Sequence, residues 1–234
     1  MKRMIIYLVR RLRRWFVYRG QPFTLVPTNG YQYIGTEYGG WPVVVELMNK
    51  SSVVLSFGLG TDISFDLGVI EQYGVTVHGF DPTPKSLEWL SNQNLPEQFS
   101  LHPVGLADQD GELQFEAPTT PGFASWTAAK LDAGTEIISF PVKSLSTICR
   151  ELDIDRIDVL KMDIEGSENS VISQLVAGSL RPKQILVEFH HRIHGTPVQA
   201  TIDAIRSLEE IGYAVFYISS IGDEFALVHN GAAS

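Results

Sequence analysis

At 234 residues with 44% hydrophobic content, the chain has material for one α/β domain with a modest appendage and is too short for two large ones. Its single cysteine, Cys149, excludes a disulfide framework and points to a reducing, cytoplasmic compartment. The formal net charge is −9, yet residues 1–20 hold seven Lys/Arg and no acid. The remainder therefore carries 11 basic against 27 acidic residues, which argues against nucleic acid as a partner of the main body.

On a helical projection of the N-terminal stretch, Met4, Ile5, Leu8, Leu12, Trp15 and Phe16 share one side, and Lys2, Arg3, Arg10, Arg13 and Arg14 the other. This basic amphipathic helix is too charged to span a bilayer and lacks a signal-peptide core. It is suited to peripheral contact with an anionic membrane surface, or to packing its apolar face on the domain or a partner. Residues 1–50 are read as this helix and a leading loop, and residues 51–234 as the main domain. Pro22, Pro27, Gly30 and Gly35 punctuate the loop. Residues 35–41, GTEYGGW, stand before a predicted helix or turn ending near Asn49. They suit a lip over a ligand site or a hinge with Trp41 plugging the core.

The segment VVLSFGLGTDISFD, starting at Val53, organises the main domain. It predicts a buried strand over residues 53–57, a break at Gly58-Leu59-Gly60 and a helix over residues 62–73. The glycines let the backbone approach a ligand, and the helix start offers unpaired N–H groups and a positive dipole end. A second strand, residues 75–80, ends in Asp81, where an acid can hydrogen-bond ribose hydroxyls. Glycine turn and terminal acid together predict an adenosine-type cofactor.

Asp81-Pro82-Thr83-Pro84 stops that strand and starts a helix through Leu90. A third strand covers residues 99–104, Asp108 to Gly111 form a turn, and residues 112–116 alternate as an exposed strand. The irregular loop 117–134 carries Phe123, Ser125, Trp126 and Thr127, material for a lid. After a strand at 137–142, Ser144 caps a helix containing Leu145, Ile148, Cys149 and Leu152, so Cys149 reads as a buried structural thiol. The fourth parallel strand, 157–162, ends in Asp163-Ile164-Glu165-Gly166, followed by a helix over 167–176. The fifth, 184–189, ends in Glu188-Phe189-His190-His191; a helix over 198–211 closes at Gly212, and Ile221-Gly222-Asp223 joins two last strands. Strand and helix in alternation predict a Rossmann-like, doubly wound sheet with helices on both faces. There is no CxxC or HExxH pattern, and no metal ligand is assigned, although a cluster of Asp, Glu and His would suit magnesium or manganese.

Five segments carry a family resemblance: SFGLGTDISFD from Ser56, FDPTP from Phe80, VGLADQDG from Val104, DVLKMDIEGSE from Asp158 and ILVEFHH from Ile185. With them the chain resembles class I S-adenosylmethionine-dependent methyltransferases and, more narrowly, the FkbM family, over roughly residues 37–229. The fourth segment is the most specific. The first departs from the commoner family form, with Ser56 in place of an acid and Asp62 in place of a glycine. The resemblance implies a seven-stranded sheet with its last strand antiparallel, S-adenosyl-L-methionine as cofactor, and O-methylation of a hydroxyl on a small molecule or glycan.

On this joint reading the cofactor-binding residues are Ser56, Gly58, Gly60, Asp62, Asp81, Gly105, Leu106, Asp108 and Asp163. The loop at 105–108 would meet the adenine edge, and Asp163 the methionine amine or the reacting oxygen. Neighbouring fourth and fifth strands would bring Asp163, Glu165, Glu188 and His190 to one rim, with Asp163 orienting and Glu188 or His190 the catalytic base. Glu165 and Glu168 read otherwise as helix caps, and His191 and His194 as solvated loop. Two further classes stay open: a nicotinamide-dependent oxidoreductase, weakened by Ile63 in the third glycine position, and a non-catalytic cofactor-binding scaffold.

Overall fold

The computed structural model describes residues 23, 25–26, 30–116, 127–128, 137–191 and 196–233. The basic stretch 1–20, most of the 117–134 loop, and His194 lie outside them. Among the described residues no helix is long and apolar enough to cross a membrane.

In chain order, β1 (Tyr31–Ile34) and β2 (Trp41–Val44) form a small antiparallel sheet. Next come β3 (Val53–Phe57), α1 (Ser64–Tyr73), β4 (Thr76–Phe80), α2 (Pro84–Ser91) and β5 (Phe99–His102). A side sheet is built from β6 (Gly105–Ala107), β7 (Gly111–Glu116), β8 (Thr127–Ala128) and β9 (Ile137–Ser144). The chain then runs through α3 (Leu145–Glu151), β10 (Val159–Met162), α4 (Glu168–Ala177), β11 (Gln184–Glu188), α5 (Val198–Glu210), β12 (Tyr213–Ile218) and β13 (Glu224–His229). The main sheet has the order β12-β13-β11-β10-β3-β4-β5, with β13 antiparallel to both of its neighbours.

Period two along the central strands divides the core. Leu55 and Phe57, Leu160 and Met162, Ile185 and Val187 face Leu145, Ile148, Val171, Ile172, Ile202 and Ile205 from α3, α4 and α5. Val54, Val159 and Leu186 face the other way, toward Val43, Val44, Phe65, Val69 and Leu90. Both faces of the parallel strands are thus covered by apolar side chains, the doubly wound arrangement.

Several strand ends differ from the sequence reading by one or two residues, and three segments depart from it for a local reason. The helix or turn expected to end near Asn49 is a short 3-10 turn, Val45–Leu47, and it is preceded by an unexpected strand at 41–44: Trp41, Val43 and Val44 are buried, and the strand pairs with β1 from Tyr31↔Val44 to Ile34↔Trp41. Gln184 then ties β2 to the main sheet, its Oε1 accepting from Val44 N at 2.7 Å, so this leading segment packs on the domain itself. Helix α1 begins at Ser64, because the Asp62 carboxylate accepts from Ser64 N at 2.9 Å and caps the helix from outside. Residues 105–107, expected as loop, pair in parallel with β9 and bury Leu106 and Ala107. Elsewhere the expected signals act as read: Ser144 Oγ accepts from Thr147 N, Gly212 adopts positive φ after its helix, and Cys149 is buried.

Candidate active site

The C-terminal tips of β3, β4, β10 and β11 surround a cavity of about 220 Å³, where β3 and β10 lie side by side and the chain departs in opposite directions. The glycine turn after β3 forms one wall. Gly58 has φ +77, and a Cβ there would stand 1.8 Å from the Asp163 carbonyl oxygen, so only glycine permits β3 and β10 to close at this height. Gly60 has φ +54, and its missing side chain leaves open space.

Two buried charges hold this turn from beneath. Asp81 Oδ2 accepts from Leu59 N at 3.0 Å and Gly60 N at 2.9 Å, while Oδ1 accepts from Thr83 N at 2.9 Å and Thr83 Oγ1 at 2.6 Å. Four donors fill the roughly four lone-pair sites of a carboxylate. In this arrangement Asp81 lines the cavity but spends its acceptors on the turn rather than offering them outward. Lys161, on β10, donates from Nζ to the Gly58 carbonyl at 2.8 Å and the Phe57 carbonyl at 3.3 Å. It was visible in the motif, yet a lone lysine inside a strand gives no sign of which backbone it will reach.

The opposite wall is acidic. Asp163 follows β10, Glu188 ends β11, His190 lies two residues further, and Glu165 occupies the turn before α4 with φ +53. Glu224 joins them because antiparallel β13 starts where β11 ends, with Glu188↔Glu224 in register. Only the reversed direction of the last strand could have placed it. His190 Nδ1 lies 2.8 Å from Glu168 Oε1, and the same oxygen accepts from Gly166 N, so Glu168 both braces the turn before α4 and holds the imidazole.

Crowded acids with few counter-charges shift one another. Burial, then the charge of Asp163, pushes Glu188 up to about 8, and burial with Asp163 and Asp223 raises Glu224 to about 7. Burial also pushes Asp163 up, against the pull of Lys161 and His190. For His190 burial disfavours the cation, but the Glu168 hydrogen bond and the charges of Glu168, Glu165 and Asp163 outweigh it and raise the group to about 10.

A lip closes the third side. Thr36 Oγ1 donates to Asp62 Oδ2 at 2.6 Å, and Thr36 N to Ser64 Oγ at 2.8 Å, pinning residues 36–39 to the start of α1. Trp41 lines the cavity while being buried, and Tyr38 stands 85% exposed at the mouth. The segment is therefore both lip and core plug, divided between these two aromatics.

Of the residues assigned from sequence, Gly58, Gly60, Asp62, Asp81, Gly105, Leu106, Asp163, Glu188 and His190 line this one cavity. Ser56 does not: it is fully buried in β3, where its hydroxyl and the Lys161 charge oppose the effect of burial, which raises Asp66. Asp108 is exposed and outside the lining, its backbone carbonyl accepting from Gln174 Nε2. His191, read as solvated, is buried with Nε2 at 3.2 Å from Asp223 Oδ1, because the chain turns inward behind β11.

A family model described as methyltransferase FkbM domain matches residues 61–215, from the glycine turn into β12. The chain belongs to the FkbM methyltransferase family. The chain is 25% identical over 182 residues to probable methyltransferase-like protein 24 of Homo sapiens, a match over 74% of this chain and 44% of that protein. The chain thus spans less than half the length of that relative. Among solved structures it is similar to methyltransferase FkbM from Methylobacillus flagellatus, at 14% identity and TM-score 0.49, covering 78% of this chain and 44% of the other. Fibrillarin of Aeropyrum pernix, with natively bound S-adenosyl-L-methionine, matches at 9% identity and TM-score 0.46 over 91% and 86%. Family membership sets aside the nicotinamide reading.

Proposed function

We propose that this FkbM domain is an S-adenosylmethionine-dependent O-methyltransferase whose acceptor is a hydroxyl on a small molecule or glycan. The observation that carries the reading is Glu188, a carboxylate lining the cavity with no hydrogen bond to any described residue. It faces the glycine turn across the tips of β3 and β10, with His190 Nε2 at 4.0 Å from Oε1 and no hydrogen bond to occupy its acceptors among the described residues. An adenosine-type cofactor fits the donor set: a turn of two glycines with open space above Gly60, a helix start at α1, and the apolar stack of Phe57 on Phe80 at 4.3 Å. When bound, it supplies an electrophilic methyl on a sulfonium.

In its ionised form Glu188 would take the proton of the acceptor hydroxyl, leaving the oxygen's electron pair to accept the methyl that the bound cofactor would supply, with thioether as leaving group. Asp163, beside Lys161 and His190, orients the groups that meet there. Charge and shape support this acceptor class. Asp62, Asp81, Asp163, Glu165, Glu188 and Glu224 ring the cavity, a field that repels phosphates, while the exposed Tyr38 ring offers a stacking face for a sugar or an apolar ring.

The reading is tested by titrating the protein calorimetrically with S-adenosylmethionine, S-adenosylhomocysteine and NAD, then supplying labelled methyl donor with candidate acceptors. Glu188→Gln is expected to bind the first two normally and to lose at least a hundredfold in methyl transfer, in line with loss of a general base. Binding of NAD alone, or full transfer by Glu188→Gln, would sink it.

A further inference from the structure

The two ring nitrogens of His190 have different surroundings, although its side chain is only 10% exposed. Nδ1 lies 2.8 Å from Glu168 Oε1, the spacing of a charge-assisted hydrogen bond. Nε2 makes no hydrogen bond with any described residue; Glu165 Oε2 stands 3.4 Å away, Asp163 Oδ1 3.6 Å and Glu188 Oε1 4.0 Å. An N–H facing a carboxylate closes to about 2.7–2.9 Å when nothing intervenes. Two donors bound to one ion at about 2.1 Å, by contrast, stand roughly 3.0–3.5 Å apart at angles of 90–110°. The Nε2–Glu165 spacing falls in that range and the Nε2–Asp163 spacing just above it, both wider than a direct hydrogen bond.

We propose that Asp163, Glu165 and His190 hold one divalent cation of the manganese type at the tips of β10 and β11. Their ligating atoms all lie within 4.8 Å of one another. Each is carried on a constrained position: Asp163 directly after β10, Glu165 in the turn that starts α4, and His190 just past β11. Glu168, 1% exposed, is the outer partner: by holding Nδ1–H it leaves Nε2 as the nitrogen that would give up its proton to the ion. Two carboxylates and one imidazole make a hard-to-borderline donor set without sulfur, which suits manganese above calcium and disfavours copper(I). The ion also meets an electrostatic need, since among the described residues six carboxylates and two basic side chains, Lys161 and His190, line the cavity. Its three protein ligands leave positions open toward Glu188. There it would polarise the acceptor hydroxyl, a role that rests on the proposed methyl transfer, whereas binding of the ion does not.

The test uses the full chain, stripped with EDTA and titrated with MnCl2 alone, following free Mn²⁺ by electron paramagnetic resonance. One ion per chain is expected. Glu165→Gln and His190→Asn should each weaken binding at least tenfold, and Glu168→Gln, which touches no ion, about tenfold through the imidazole. S-adenosylmethionine binding, measured on the same samples, should persist in Glu165→Gln and reports that the fold is intact. If Mn²⁺ stays free at millimolar protein, or binds the three variants as it binds the wild type, the metal site is refuted; cofactor binding retained in that case leaves the methyltransferase reading standing. Mn²⁺ bound as expected without any cofactor binding would support the site and overturn that reading instead.

Discussion

The substitution Asp81→Asn separates a residue that holds the cofactor turn from one that only contacts the cofactor. In the structure its carboxylate accepts four hydrogen bonds, two from the backbone of the glycine turn and two from Thr83. A carboxamide keeps one oxygen and places an NH2 group against the other pair of donors. Whichever way the amide turns, two hydrogen bonds to a charged acceptor are lost. At about 1.5–3 kcal/mol for each such bond, less what water recovers at the half-buried Gly60 and Thr83 amides, the expected loss is about 2–4 kcal/mol. For a chain of this size each kcal/mol lowers Tm by about 2–4 °C, so the melt should fall by roughly 4–16 °C. Urea unfolding of the wild type, Asp81→Asn and Asp81→Ala, with m unchanged, gives the free energy directly. If the variants unfold within about 0.5 kcal/mol of the wild type while losing cofactor affinity, Asp81 is a ligand contact and does not hold the turn.

Gly58 and Gly60 should respond differently to alanine. Gly58→Ala drives a Cβ to 1.8 Å from the Asp163 carbonyl and should cost well over the ~1–2 kcal/mol of a left-handed non-glycine residue, whereas Gly60→Ala pays only that strain and keeps a cooperative melt; equal Tm values would contradict it. His78 Nδ1 and His102 Nε2 stand 3.1 Å apart, and both pKa values are lowered, first by burial and then by the neighbouring His102 and Lys143 respectively. Because the folded state binds these protons less readily than the unfolded chain, their contribution is full above about pH 6.5 and is lost as pH falls below it. Tm measured from pH 8 to 5.5 should therefore drop less steeply in His102→Gln than in the wild type, and superimposable slopes would count against it. Phe80, stacked on Phe57 at 4.3 Å and on His102 at 4.6 Å, should cost about 3–5 kcal/mol when cut to alanine, as read by urea unfolding.

Much of this architecture is local and therefore legible in the chain. Apolar runs bounded by glycine, proline and acids place the seven strands of the main sheet, because a parallel strand buried on both faces must be apolar throughout. Ser144 as a cap, Gly212 as a helix end, and Gly58 as a point of close approach follow from backbone conformation alone. The tips of the strands, with Asp81, Asp163 and Glu188, could be named because the ligand crevice of such a sheet lies beyond its carboxyl ends.

What needed the tertiary structure is where each polar atom spends its hydrogen bonds. Asp81 and Asp62 are acids in the right place, but only the folded turn shows one holding the glycine backbone and the other tying the lip to α1. Lys161 and Glu168 are ordinary letters in a motif until β10 packs beside β3 and α4 beside the tip of β11. Glu224 and Tyr38 reach the cavity from segments far away in sequence, through an antiparallel last strand and a hairpin laid across the sheet. Sequence periodicity determines which face a residue occupies; the distances that make a hydrogen bond, an ion-sized gap or an unengaged base arise only when separate elements are brought together in space.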